Sequence, residues 1–315
     1  MSTTIPMNDQ IDRLLESVGR VYLGNPDAVE QLVRCLLARG HALIEDVPGV
    51  GKTILASALA RSVDCRFTRL QLTPDMLPSD VLGVTMYHQD TGKFEFRKGP
   101  VFTDILLADE INRTTPRTQT ALLEAMSEAR VSMDGEVYDL GQPFMVIATQ
   151  NPYEFAGTYL LPENQLDRFL MRISLGYPGV EAEARLLDLR PAATVLQELE
   201  PVLHADDVVA LQRRVDEVRL EPAVRDYIVA VARATRDEDE IQVGLSPRGT
   251  LALAHAARAT ALMDHRDHVI PEDVLDNVVA VGAHRMLLRE SAAGVDWERA
   301  AVAIRRAAQS VQAPL

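Results

Sequence analysis

The sequence predicts a two-part α/β protein, a five-stranded parallel sheet with covering helices followed by a smaller all-helical domain. Three observations carry this expectation. Over roughly the first 175 residues, short apolar runs alternate with helical patterns, the rhythm of strand–helix–strand units. A Gly-containing loop stands directly between the first apolar run and a helical stretch. Past Tyr177-Pro178-Gly179 the chain turns to Ala, Leu, Val, Arg and Glu at helical spacing.

The expected strands are residues 41–44, 67–72, 105–108, 145–149 and 172–175. Each is short, apolar and bounded by charge, Gly or Pro, as in strands covered on both faces. Two hairpin signals interrupt the alternation. Residues 84–86 and 94–96 flank a turn at Asp90-Thr91-Gly92, and residues 131–138 carry Asp134-Gly135, a strong turn pair. Both read as insertions on the α/β core, the first spanning 84–102. In the second half, Pro222, Pro247 and Pro271 stand where helices begin, which predicts four or five helices and essentially no strand. The acidic run 237–240 reads as a solvated loop. The division falls near residue 178, giving 1–178 and 179–315.

The 315 residues include 46 acidic and 32 basic ones, a formal charge of −14. Such a chain repels phosphate backbones and anionic lipid, which disfavours a nucleic-acid binder. Cys35 and Cys65 are too few for a disulfide framework and suit a reducing compartment. Residues 1–10 lack a basic and apolar leader pattern, and no apolar run approaches the 18 or so residues of a membrane span. The expectation is a soluble, cytoplasmic protein with no direct membrane insertion.

Chemistry concentrates in three segments. Asp46-Val47-Pro48-Gly49-Val50-Gly51-Lys52-Thr53 follows a strand and opens a helix at Ile54, the setting of a phosphate-binding loop. Gly49 and Gly51 let backbone N–H groups turn inward around phosphate oxygens, and the helix start adds partial positive charge. Lys52 would reach the β- and γ-phosphates of a nucleoside triphosphate, and the Thr53 hydroxyl would ligate Mg²⁺. Asp46 stands where the usual pattern begins with glycine. A carboxylate facing a triphosphate would be repelled, so Asp46 should point away. The bland alternative is a strand-to-helix turn with a solvated lysine.

Ile105-Leu106-Leu107-Ala108-Asp109-Glu110 is an apolar strand ending in two carboxylates, at the edge where α/β folds collect ligands. Asp109 would hold Mg²⁺ through water and Glu110 would activate an attacking water. Taken alone, acids here equally suit a helix start. Residues 145–152 form a further strand ending in Gln150-Asn151-Pro152. Asn151 could fix the water against the γ-phosphate, or it could form an ordinary Asn-Pro turn. Arg168 lies just before the fifth strand, and Arg248 follows Ser246 and Pro247, an N-cap and a first helical residue. Arg248 could read a γ-phosphate from the helical domain. Singly, either arginine reads more readily as a surface ion pair.

In this order the residues resemble the MoxR family of AAA+ ATPases, within the group carrying an insertion in the second helix. The resemblance runs from about Val21 to the last helices. It rests on residues 45–53, 77–80, 96–102, Asp109-Glu110-Ile111-Asn112-Arg113, Gln150-Asn151-Pro152, 161–169 and 245–249. It implies a P-loop AAA+ core with a helical lid, in a ring that is usually hexameric. Residues Val47, Pro48, Gly49, Val50, Gly51, Lys52, Thr53 and Ile54 match the Walker A segment, Asp109 and Glu110 Walker B, and Asn151 sensor 1. Arg168 matches the arginine finger that reaches the neighbouring subunit's nucleotide, and Arg248 matches sensor 2, which would tie the angle between domains to the bound nucleotide. Val21-Tyr22-Leu23-Gly24 looks like the segment lining the adenine pocket, and Arg113 like a further intersubunit arginine.

The activity implied is hydrolysis of ATP with Mg²⁺, driving remodelling, maturation or activation of a client protein, commonly one with a von Willebrand factor A domain. A nucleotide-gated assembly switch with little turnover predicts the same motifs. A nucleic-acid motor is disfavoured by charge, and a GTPase by the absence of an Asn-Lys-x-Asp motif. His265 and His268 are not read as a metal pair. Trp297 and Cys35 read as core packing, and Tyr153, Phe155 and Tyr159 as loop packing.

Overall fold

A computed structural model describes residues 7–90, 92–151, 157–188, 192–289 and 296–314. Helices α1 (Met7–Val21) and α2 (Pro26–Leu37) lead into β1 (Ala42–Glu45), followed by α3 (Lys52–Ser62), β2 (Phe67–Gln71) and α4 (Pro78–Leu82). A hairpin of β3 (Gly83–His88) and β4 (Lys93–Lys98) precedes β5 (Ile105–Asp109), a 3₁₀ turn (Ile111–Arg113) and α5 (Pro116–Glu128). A second hairpin, β6 (Arg130–Met133) and β7 (Glu136–Asp139), leads to β8 (Met145–Gln150), α6 (Glu163–Leu166) and β9 (Met171–Ile173).

All five expected strands join one parallel sheet in the order β2-β5-β8-β1-β9. Their apolar side chains are buried between helices, except that β2 at the edge exposes Arg69 and Gln71 while burying Leu70. The expectation of strands covered on both faces fails there: Arg69 and Gln71 share one face of β2, and both stay exposed. Each insertion is a hairpin. Asp134 and Gly135 both take positive φ (51° and 83°), as a two-residue turn between right-twisted strands demands. The hairpins touch: Phe96 of β4 stacks on Tyr138 of β7 with centroids 4.3 Å apart. Thr91, Pro152, Tyr153 and Phe155 lie outside the described residues.

The second half contains α7 (Val180–Asp188), α8 (Ala192–Glu198), α9 (Ala205–Glu217), α10 (Pro222–Asp237), β10 (Ile241–Val243), α11 (Pro247–Met263), α12 (Pro271–Gly282), β11 (Leu287–Leu288) and α13 (Trp297–Gln309). Seven helices among the described residues exceed the expected four or five, α7 and α8 being only nine and seven residues long. The expectation of no strand is also corrected: β10 and β11 form a small antiparallel pair. The acidic run is no free loop either, since Glu238 and Glu240 accept from Arg306 of α13 at 3.3 and 2.7 Å.

One apolar cluster runs through both halves, joining Leu32, Leu36 and Ile44 to Leu211, Leu253 and Val278. Helices α9 and α11 pack on α2. Arg34 donates to Asn277 (3.2 Å), Gln212 to Leu36 O (2.8 Å) and the Leu170 N–H to His41 O (2.8 Å). The end of α2 and residues 169–170 both adjoin the start of β1. The helical half therefore lies behind the N-terminal edge of the sheet. His41 ties that edge together: its Nδ1 accepts from Val146 N–H, which leaves the proton on Nε2 to donate to Met126 O. Trp297 is partly buried where α13 meets the sheet, with the Arg172 guanidinium 4.6 Å from its ring centroid. Arg172 in turn pairs with buried Glu45 at 2.6 Å.

Candidate functional site

Parallel pairing brings the C-terminal ends of the strands into line: Gln71 faces Asp109, and Glu45 faces Gln150. Residues 46–51 leave β1 at this edge and deliver Lys52, Thr53 and Ile54 into the first turn of α3. Gly49 and Gly51 hold φ of 88° and 93°, where a side chain is strained, and a Cβ on Gly51 would also meet the Tyr22 ring at 3.2 Å. No side chain caps the N-terminus of α3, which Val47, Pro48 and Val50 precede in the loop, so its first N–H groups have no side-chain acceptor from the cap. The Lys52 ammonium donates to Asp46 O and, at 3.0 Å, to Gln150 O. Burial lowers its pKa, opposed by Asp46, Asp109 and Glu110.

Asp46 does point away, and its target is specific. Its carboxylate accepts from Val47 N–H (2.8 Å), Ser174 Oγ (3.1 Å), Leu175 N–H (2.8 Å) and Gly176 N–H (2.7 Å). Partial burial alone would raise its pKa, but these donors outweigh it and hold the carboxyl below the usual range. The grip fixes residues 175–177 as one wall of a cavity of about 450 Å³ whose other wall is Gly24, Asn25 and Pro26. Tyr22 and Leu23 line an adjoining cavity of about 360 Å³. Val21 packs into the core cluster. Burial, with Asp46 nearby, pushes the Tyr22 hydroxyl up to about 12.

The two carboxylates at the end of β5 are both engaged. Asp109 accepts from Thr149 Oγ1 at 2.6 Å and from the Arg69 guanidinium at 2.7 Å. Glu110, at φ 58°, receives Gln71 Nε2 at 2.8 Å and Arg113 Nε at 3.0 Å. Asn151 is buried beside them at the end of β8. Sequence reasoning missed Thr149, Arg69 and Gln71. A hydroxyl inside a buried strand and two polar residues at alternate positions of an edge strand were the available signals.

An open helix start, a half-buried lysine and a carboxylate at one sheet edge fit a triphosphate with Mg²⁺. Among the described residues no group of three or more His, Cys, Asp or Glu could hold a metal by itself. Thr53 and Asp109 would supply two protein ligands and leave the others to phosphate and water. Both Asp109 oxygens already accept hydrogen bonds, which suits contact through water.

Two residues are not brought to this site. Arg168 stands before β9, at the N-terminal edge, and donates to Leu123 O (2.8 Å) and Ser127 Oγ (2.6 Å) at the end of α5. Arg248 lies in the first turn of α11, exposed, where Ser246 caps the helix and its hydroxyl meets Asp167 at 3.5 Å. Arg248, expected to read a γ-phosphate from the helical domain, thus stands away from the phosphate loop of its own chain. The four residues of β1, on the order of 13 Å, separate the two edges. His265 pairs with Asp12 and His268 with Asp267. Cys35 is fully buried, and Tyr159 donates its N–H to Asn112 O.

The strand order, the glycine loop after the fourth strand of that order and the helical second half define an AAA+ ATPase. Residues 41–171 match the ATPase family associated with various cellular activities (AAA), and residues 233–294 match the AAA lid domain. The chain is 39% identical over 313 residues to Chaperone MoxR1 of Mycobacterium tuberculosis, covering 96% of this chain and 82% of that one. It is 48% identical over 282 residues to the uncharacterized protein YeaC of Bacillus subtilis (90% and 88% covered), and 31% identical over 305 residues to Protein MoxR of Methylorubrum extorquens (89% and 88%). The crystal structure of a candidate ATPase from Cytophaga hutchinsonii superposes with a TM-score of 0.86 at 33% identity, covering 98% of this chain and 96% of that one. The chain belongs to the MoxR family of AAA+ ATPases.

Proposed function

We propose that the chain hydrolyses ATP as one subunit of a head-to-tail ring, most simply a hexamer, and uses the cycle to remodel or activate a partner protein. The observation that carries this reading is the separation of the two edges. The phosphate loop, Asp109, Glu110 and Asn151 share one edge, whereas Arg168 and Arg248 stand at the other. Copies stacked edge to edge would complete each site with the neighbour's arginines, and an arginine supplied in trans is worth on the order of 10³–10⁵ in rate. Gly49, Gly51 and Lys52 would bind the triphosphate, and Thr53 and Asp109 would hold Mg²⁺. Glu110 would take the proton of the attacking water, and Asn151 would orient that water.

The chain would work as a core (1–178) and a lid (179–315) in the cytoplasm. Its partner would be a protein, for which we favour one with a von Willebrand factor A domain, and not nucleic acid. The slow-switch reading has one observation in its favour: Glu110 is held by Gln71 and Arg113, and Asp109 by Arg69. Basal turnover should therefore be slow until a partner or neighbour loosens these contacts.

The test is hydrolysis per subunit across a dilution series for wild type, Glu110→Gln and Arg168→Ala. Turnover that climbs with concentration and is lost in both variants supports the reading. A rate independent of concentration, with Arg168→Ala unaffected, overturns it.

A further inference from the structure

Arg285 belongs to the helical half, yet its donors reach mainly across to the sheet half. Its side chain is 3% exposed. Nε meets Asp167 Oδ1 at 2.8 Å, Nη2 donates to Phe169 O at 2.6 Å and Asp167 O at 3.4 Å, and Nη1 donates to Leu170 O at 3.0 Å. Nη1 also meets Val281 O in its own half. His284 adds a bond to Phe169 O at 3.0 Å. The backbone on both sides of Arg168 is thus held from the lid. The other oxygen of Asp167 faces the Ser246 hydroxyl, two residues ahead of Arg248.

We infer that Arg285 and Asp167 are positioning residues that lock Arg168 and Arg248 into a single two-arginine unit presented to the triphosphate of the adjoining copy. The inference rests on the reading of a site completed between copies. A planar guanidinium with every arm bonded fixes its partners in direction as well as distance, which a lysine or an apolar pair could not do. Stability alone is a poor reason to keep a buried ion pair, since apolar replacements are often as stable. Geometry is a better reason, because a misplacement of about 1 Å can cost roughly a hundred-fold in rate. Asp167 also offsets the Arg285 charge, leaving those of Arg168 and Arg248 for the incoming anion. Burial lowers the Arg285 pKa to about 10, with Asp167 opposing, so the group stays cationic at neutral pH.

The experiment uses mixed full-length chains. Arg168→Ala subunits keep an intact phosphate site, and Glu110→Gln subunits keep their arginines, so mixing them should restore hydrolysis that neither shows alone. Replacing the second partner by Glu110→Gln/Asp167→Asn, and separately by Glu110→Gln/Arg285→Lys, should cut the restored rate about ten-fold or more. Sedimentation and the Kd for a fluorescent ATP analogue should stay unchanged. Failure of the first mixture removes the reading of a shared site and this inference with it. Full restoration with the double variants removes the inference alone. A reduced rate accompanied by loss of assembly, of folding or of nucleotide binding also overturns it, in favour of a purely structural ion pair.

Discussion

Four donors converge on Asp46, and their geometry decides what its removal should do. Deleting a negative charge beside a phosphate loop would favour an anion by about 1 kcal/mol at screened, half-exposed distances. Against that, Asp46→Ala leaves Leu175 N–H, Gly176 N–H and Ser174 without their acceptor, a cost of about 1–2 kcal/mol, and frees one wall of the neighbouring cavity. The second effect should win. Urea unfolding should show lower stability, and the Kd for an ATP analogue should rise, not fall. His41 gives a prediction with a definite sign. Burial drops its pKa from 6.5 to about 4, so the folded protein keeps it neutral while the unfolded chain protonates below about pH 6.5. Its contribution to stability is full above that pH and is lost as pH falls toward 4, by about 2 kcal/mol at pH 5. Buried His284, also lowered, acts in the same direction. In His41→Gln the difference between unfolding free energies at pH 7.5 and pH 5 should shrink. That Asp46 turns away was legible because like charges repel wherever the chain goes. Its partners at 174–176 were not, since they depend on which strand lies beside β1.

Among the elements, strands were the most legible. The expected strands fall within two residues of β1, β2, β5, β8 and β9, because a short apolar run between breakers has few other uses in a layered fold. The lid was harder. Helices α7 and α8 are only nine and seven residues long, and the β10–β11 pair is too short for any pattern to announce it. The hairpins were visible as turns, but not their mutual contact, since the Phe96–Tyr138 stack joins segments distant in sequence. On the β3–β4 hairpin Phe94 is 74% exposed and Tyr87 55%, one beside the other with centroids 5.1 Å apart. Tyr87→Ser with Phe94→Ser should alter unfolding free energy by no more than about 1 kcal/mol, as for other surface pairs. If the hairpin meets the client, the same variant should lose any stimulation of hydrolysis by that client while keeping its basal rate.

Taken whole, the molecule is less divisible than its two-part sequence suggests. The cluster that includes Leu36 and Ile44 also includes Leu253 and Val278, so the sheet half keeps a cluster of its own around Leu106, Val146 and Phe169 but shares the rest of its core with the lid. Calorimetry should record one cooperative transition, and a fragment ending at residue 178 should aggregate or remain partly unfolded. The change of composition near residue 178 was real, but composition records what a segment is made of and not what it is packed against. The contact of Trp297 with Arg172 has a practical result. It is the only tryptophan in the chain, and it lies against the strand whose Arg172 grips Glu45, one residue before the phosphate loop begins. The protein thus carries its own optical gauge. Emission should shift when α13 parts from the sheet, so a stopped-flow trace on unlabelled protein could time the opening against each turnover.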